Sequence, residues 1–299
     1  MAALAVKLGA GFPHHIGTDP EAVRNFALTL ERAGYDYLGV VDHVAGAHAD
    51  RFSGPVGDFP RPPYTTESPT HEVMTLLGYV AALTARLELV TSVLVLPQRQ
   101  TVLVAKQAAE LAILSRGRLR LAVGVGWNFA EFEALHAEFG NRGARIEEQI
   151  AVMRRLWTEP LVTFAGSWHH LDRIALNPLP GHPIPVWLGS GAREVSLRRL
   201  ARLADGWLPQ RRAGDDLPAS LARVRRYLEE AGRDPDAFGL GLGLRLTNGH
   251  GEADAWRRQL DDLRALGATH VTVQAGGSGA GVGEQLDRLL RCKQVLDAG

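Results

Sequence analysis

The pair Asp42-His43 sets a carboxylate beside an imidazole, the one side chain whose ordinary pKa, near 6.5, lets it give or take a proton around neutrality. It closes the apolar run Gly39-Val40-Val41 and opens a long irregular stretch. General acid–base work by His43 is one reading, and hydrogen bonding within the loop is the other. A second candidate is Gly189-Ser190-Gly191-Ala192-Arg193, ahead of a helical run at 194–204. Such a turn at a helix N-terminus offers unpaired backbone N–H groups to an anion. Ser190 adds a hydroxyl and Arg193 a charge, which suits a phosphate. The glycine-rich run from Gly276 to Gly283 competes for that role, because barrels often bind phosphate after their last two strands. In Gly124-Val125-Gly126 the missing side chains let a planar ligand approach the backbone, with Trp127 as a wall. It is not a dinucleotide fingerprint, since Phe129 takes the place of the third glycine.

Other chemistries find little support. The sequence holds no phosphate-loop lysine motif, no nucleophile-elbow serine and no zinc-protease helix. The adjacent pairs His14-His15 and His169-His170 would face opposite ways on a strand, so no metal site is expected. A single cysteine, Cys292, excludes an internal disulfide and reads as a buried thiol in a C-terminal amphipathic helix. Three lysines against thirty arginines argue against a lysine Schiff base.

Short apolar runs alternate with amphipathic ones along the chain. The expected strands are 4–12, 35–41, 87–96, 119–125, 185–188, 206–209, 239–246 and 270–274. Between them Val23, Phe26, Ala27 and Leu30, then Ile146, Ile150, Met153 and Trp157, keep helical spacing, and Gly34, Gly117, Gly232 and Gly267 read as helix ends. Strands apolar on both faces and alternating with helices imply a parallel sheet covered by helices. Eight such units within 299 residues fit one (β/α)8 TIM-barrel domain over 1–299 better than an open doubly wound sheet. Two insertions break the alternation. The stretch 45–70, with five prolines, reads as a lid loop after the second strand, and 160–183 as a hairpin before the fifth. Equal numbers of acidic and basic residues, 33 each, argue against a nucleic-acid-binding role. No apolar run suits a membrane span and the N-terminus lacks a signal-peptide pattern, so a cytoplasmic location is expected.

Several stretches together resemble the luciferase-like flavin and deazaflavin oxidoreductases, specifically the branch dependent on coenzyme F420. They are VLVLPQRQTVLVAKQAAELAILSRGR at 93–118, LAVGVGWN at 121–128 with Glu131-Phe132, PVWLGSG at 185–191 and LRRLARLADGWLP at 197–209. Asp42-His43 fits the same pattern. The resemblance implies a luciferase-like TIM barrel and hydride transfer between F420 and a small organic substrate. The pocket would be lined by Asp42, His43, Ser92, Val93, Val125, Gly126, Gly189, Ser190, Gly191, Ala192 and Arg193, with a non-proline cis peptide at Ser92–Val93. His43 would carry the proton, and Asp42 would contact the cofactor or orient the loop. The lid would cap the substrate through Arg51, Phe59, Tyr64 and Trp127, while Arg51, Arg61 and Arg99 are candidates for the acidic tail of F420. A homodimer is also implied. Where related sugar-phosphate dehydrogenases carry a catalytic glutamate this chain has Trp127, and their phosphate-binding lysines have no counterpart, so glucose-6-phosphate is not the expected substrate. The alternatives are an FMN-dependent monooxygenase of the same superfamily and a non-catalytic cofactor-binding protein of this fold.

Overall fold

The structure, a computed structural model, describes residues 6–54, 61–210, 214–246, 251–275 and 281–298. Phe59 and the greater part of the 276–283 run therefore lie outside the described residues.

The chain opens with β1 (Lys7–Gly11), α1 (Pro20–Arg32), β2 (Tyr37–Val40), α2 (Val73–Leu83), β3 (Glu88–Thr91) and β4 (Leu94–Val95). Next come α3 (Thr101–Leu114), β5 (Leu119–Gly124), α4 (Phe129–Ala134), α5 (Arg142–Thr158), β6 (Val162–Ala165) and β7 (His170–Ile174). The last third runs β8 (Val186–Ser190), α6 (Glu194–Leu203), β9 (Gly206–Pro209), α7 (Leu217–Glu230), β10 (Gly239–Arg245), α8 (Glu252–Ala265), β11 (His270–Gln274) and α9 (Val282–Asp297). The parallel sheet closes on itself in the order β3-β2-β1-β11-β10-β9-β8-β5-β4, because β3 also pairs with β5. This is a closed eight-stranded barrel with β3 and β4 sharing one position. The expected third strand, 87–96, is thus broken in two, at a cis peptide between Ser92 and Val93.

Local chemistry explains the helices. Asp19 caps α1 by accepting the Glu21 N–H, Pro20 stands at its first position, and Val23, Phe26, Ala27 and Leu30 bury one face. Gly34 and Gly117, two of the expected helix ends, have φ of 80° and 81°, a left-handed conformation that glycine adopts without steric cost. The expected hairpin is the antiparallel pair β6–β7, tied to α5 by Glu148. Its carboxylate accepts the N–H groups of Ser167, Trp168 and His169 and lies 2.7 Å from His169 Nδ1. His169 Nε2 in turn meets Thr101 Oγ1 at 2.6 Å, so this histidine fastens the hairpin to the barrel wall.

The N-terminal mouth of the barrel is filled by side chains rather than open. Trp187 and Tyr37 lie over glycines, and a Cβ at Gly206, Gly239 or Gly9 would collide with their rings. Arg120, only 2% exposed, has its guanidinium 4.7 Å from the Tyr37 ring and 4.4 Å from that of Trp187. His270 packs edge-on to Trp187, and burial, helped by Arg120 and Lys7, pushes its pKa down to about 3. Cys292 is fully buried, and that burial raises its thiol to about 12, which makes it an inert core residue. Among the described residues no helix is long and apolar enough to cross a membrane. With the lower mouth plugged, the ligand-accessible end is the other one, where the strands' carboxyl ends meet the described residues that follow β2.

Candidate active site

A cleft of about 950 Å³ opens at the carboxyl ends of the strands. That is room for a cofactor-sized molecule with a substrate beside it. Its floor is built from Val93, Gly124, Val125, Gly126 and Gly189. The cis peptide brings the Val93 side chain against two of these glycines: a Cβ at Gly124 would stand 2.7 Å from Val93 Cγ2, and one at Gly189 2.8 Å from Cγ1. Glycine is required at both positions for the floor to close behind Val93.

One flank is electropositive. Ser190 ends β8, Arg193 occupies the N-cap position of α6 without a side-chain cap bond, and Gly191 and Ala192 join them. The Ser190 hydroxyl is buried and has no hydrogen-bond partner among the described residues. Arg142 stands opposite on α5, stacked 3.6 Å over the Phe139 ring and bonded to the Gly126 and Phe139 carbonyls. Burial, and then Arg193, lower the Arg142 pKa, so two cations face one space. Arg223 of α7 adds a third, held by the Ala192 carbonyl and the Ser220 hydroxyl. Among the described residues none of these three arginines has a carboxylate partner, whereas Arg199 beside them is paired with Glu147 at 2.9 Å. Asp215 and Asp216 also reach this rim, Asp216 as the cap of α7.

The other flank carries His43, whose side chain is 17% exposed. Its Nδ1 lies 3.5 Å from Glu131 Oε2, which leaves Nε2 for the cleft. Tyr64 stacks on the imidazole with ring centroids 3.6 Å apart, and Trp127 meets both rings edge-on. Phe52 and Phe129 continue this aromatic wall, and Arg51 is fastened to it by Glu133 at 2.6 Å. Burial opposes ionisation of Glu131, but the neighbouring His43 and the hydrogen bonds from the Val44 and Ala45 N–H groups outweigh it and hold the carboxyl below its ordinary range.

Asp42 turns away from this flank. It is 1% exposed and forks onto Arg99, with Oδ1 2.6 Å from Nη2 and Oδ2 3.3 Å from Nε. Oδ2 also accepts the Val95 N–H at 2.8 Å, which ties the end of β2 to β4 just beyond the cis peptide. Burial raises the Asp42 carboxyl against the pull of Arg99, while Asp42 and Glu72 hold the Arg99 guanidinium above its ordinary value despite its own burial.

The structure therefore brings Asp42, His43, Ser92, Val93, Val125, Gly126, Trp127, Arg51 and residues 189–193 to one cleft, Asp42 at its buried edge. Two expectations need correction. Arg99 is not free for an acidic tail, because Asp42 and Glu72 occupy it. Tyr64, expected on the substrate face, is 7% exposed and backs His43 instead. Arg61 is exposed and away from the cleft lining. Sequence reasoning passed over Arg142, Arg223, Phe52 and the role of Glu131. Only Glu131 carried a signal, standing three residues after the helix-capping Asn128.

A parallel barrel with a large cleft at its carboxyl end, floored by glycine and flanked by cations, defines a cofactor-binding α/β barrel. The chain belongs to the luciferase-like monooxygenase family, whose sequence profile it matches over residues 4–295. An uncharacterized protein of Mycobacterium tuberculosis is 35% identical over 207 residues, covering 69% of this chain and 71% of that one. The F420-dependent glucose-6-phosphate dehydrogenase of Kineococcus radiotolerans is 29% identical over 234 residues, covering 76% of this chain and 64% of that protein. Among solved structures, the monooxygenase RslO1 from Streptomyces bottropensis superposes with a TM-score of 0.78 at 18% identity, over 98% of this chain and 99% of that one. An F420-dependent secondary alcohol dehydrogenase in complex with an F420-acetone adduct gives 0.71 at 15% identity, over 97% and 99%.

Proposed function

We propose that this chain is an F420-dependent oxidoreductase that transfers a hydride between the deazaflavin and a small organic substrate, acting in the cytoplasm. The observation that carries the reading is the electropositive flank. Among the described residues a buried, unpartnered Ser190 hydroxyl and three arginines without carboxylate ion pairs line the cleft around a glycine turn at a helix N-terminus. That donor set suits a phosphate, and the open glycine floor in front of Val93 suits a flat ring system. The named dehydrogenase relative supports the choice of cofactor.

When bound, F420 supplies a carbon-centred hydride donor or acceptor, chemistry that no side chain provides. The protein's share is positioning, dryness and a proton. Residues 189–193, with Arg142 and Arg223, would hold the phosphate, and Val93 would back the ring. His43 Nε2 holds or releases the proton that balances hydride arrival or loss at the substrate. Phe52, Trp127 and Phe129, with Arg51 at their edge, form an aromatic wall that keeps water from the exchange. With Trp127 where the sugar-phosphate enzymes place a glutamate, this wall favours an apolar organic substrate over a sugar phosphate.

Titration with F420 and, separately, FMN, followed by tryptophan fluorescence, tests the reading. Micromolar or tighter binding of F420 and much weaker binding of FMN are expected. Arg193→Ala should weaken F420 at least tenfold, the worth of one charge-assisted hydrogen bond. A preference for FMN would move the chain to the monooxygenase branch, and binding of neither would remove the mechanism.

The barrel's α2–α3 side exposes Tyr79, Val102, Leu103 and Leu114. We place the homodimer contact on this side, where Leu103 and Leu114 flank the exposed Lys106–Glu110 pair of α3. Sedimentation should give twice the chain mass, falling to one chain mass in Leu103→Glu/Leu114→Glu; a wild-type monomer would reject the contact.

A further inference from the structure

We propose that Glu131 is the positioning residue of this site: it fixes which nitrogen of His43 carries the proton, with Tyr64 holding the ring in place. The inference rests on the reading of His43 as the proton-carrying residue.

Glu131 is buried in the first turn of α4 and faces three donors and the His43 imidazole, whose buried Nδ1 has no hydrogen-bond partner among the described residues and lies nearest this carboxylate. Oε1 accepts the N–H groups of Val44 and Ala45, and Oε2 accepts the Tyr64 hydroxyl at 3.0 Å and faces His43 Nδ1 at 3.5 Å. An ionised carboxylate accepts about four hydrogen bonds; three are supplied by the protein and the remaining place faces His43 Nδ1, so none is left for a substrate. It cannot itself be the acid or base of the reaction. What it does is determine its neighbour. An acceptor-only group at Nδ1 requires the neutral imidazole to carry its proton there, leaving the Nε2 lone pair toward the cleft.

The ring cannot escape this arrangement by turning over. Tyr64 packs against it with the two ring planes 32° apart, and the Tyr64 hydroxyl is held between Glu131 and the Asn128 side-chain amide, 2.6 Å away. Asn128 is fixed in turn, since its carbonyl oxygen caps α4 at Ala130 and Glu131. Imidazole, phenol and carboxylate thus form one interlocked unit on a short, capped helix. A carboxylate serving only to anchor the backbone at 44–45 would need neither the phenol nor the imidazole on its second oxygen.

The geometry yields an asymmetric test. In Glu131→Gln the amide oxygen must stay with the Val44 and Ala45 N–H groups, since only an acceptor can serve two donors. The amide NH2 then faces His43 Nδ1, which must become an acceptor, so the proton moves to Nε2. Long-range 1H–15N spectra of protein labelled at histidine, recorded above pH 8 where free imidazole is neutral, read this directly, with His43→Asn identifying the signals. The expected result is the Nδ1–H tautomer in the wild type and the Nε2–H tautomer in Glu131→Gln, with F420 affinity changed less than about threefold. An Nε2–H tautomer in the wild type would overturn the proposal even if the variant did not fold. An unchanged tautomer in a folded Glu131→Gln would overturn it as well. The spectra need no cofactor, so failure of the wild type to bind F420 would sink the functional reading and leave this result standing.

Discussion

His43→Asn should lower kcat by about 10²- to 10⁴-fold, the usual worth of a positioned general acid or base, while changing F420 affinity less than about threefold. The two halves of this expectation come from opposite sides of one cleft. His43 stands on the aromatic flank with its Nδ1 turned to Glu131, so Nε2 is its one nitrogen available to a substrate. The groups suited to a phosphate, Ser190, Arg193, Arg142 and Arg223, line the other flank. Asparagine keeps the backbone at the end of β2 undisturbed and cannot take up or release a proton near neutrality. Rates followed through the deazaflavin absorbance, with the first substrate found by screening, would measure the loss. Unchanged turnover would remove His43 from the chemistry and point to a cofactor-binding role for the fold. A parallel loss of F420 affinity would instead mean that His43 holds the cofactor.

The fold was legible because each strand position is marked by a short apolar run between amphipathic segments, and the barrel has such a run at every position. The exception is instructive. The run 87–96 reads as one strand, yet β3 ends at Thr91 and β4 begins at Leu94, with the cis Ser92–Val93 peptide between them. Periodicity does not register an isomer of the main chain; resemblance alone pointed to that bond. The site divides similarly. The glycine turn and Asp42-His43 stand at strand ends, where barrel geometry says to look. Arg142 reaches the cleft from α5, and its distance from any strand end hid it. Arg99 shows the opposite failure. It does stand beyond a strand, but its partner Asp42 lies 57 positions earlier, and no local pattern tells an arginine awaiting a ligand from one already paired. Tyr64 was expected to face the substrate because it lies in the 45–70 segment. Its hydroxyl turns inward because Glu131 and Asn128 offer two buried partners there.

Arg99→Met should cost about 3–5 kcal/mol of folding stability, the price of leaving one member of a buried ion pair without its partner. Asp42 is the charge left behind: its side chain is fully buried and Arg99 supplies two of its three hydrogen bonds. Burial already raises its pKa against the attraction of Arg99, and loss of the arginine raises it further. A carboxyl whose folded pKa lies above its unfolded value adds stability below the unfolded pKa, near 4, and loses it as pH rises. The deficit of Arg99→Met should therefore be largest near pH 7 and shrink as pH falls toward 4. Urea unfolding across that range measures it. The double variant Asp42→Asn/Arg99→Met, with neither charge buried, should recover much of the loss, since removing both charges costs less than stranding one. If Arg99→Met matched the wild type in stability at pH 7, the pair would be solvated and Asp42 would be free to meet a ligand. A loss that did not diminish toward pH 4 would place the cost in the methionine's packing rather than in the stranded carboxylate.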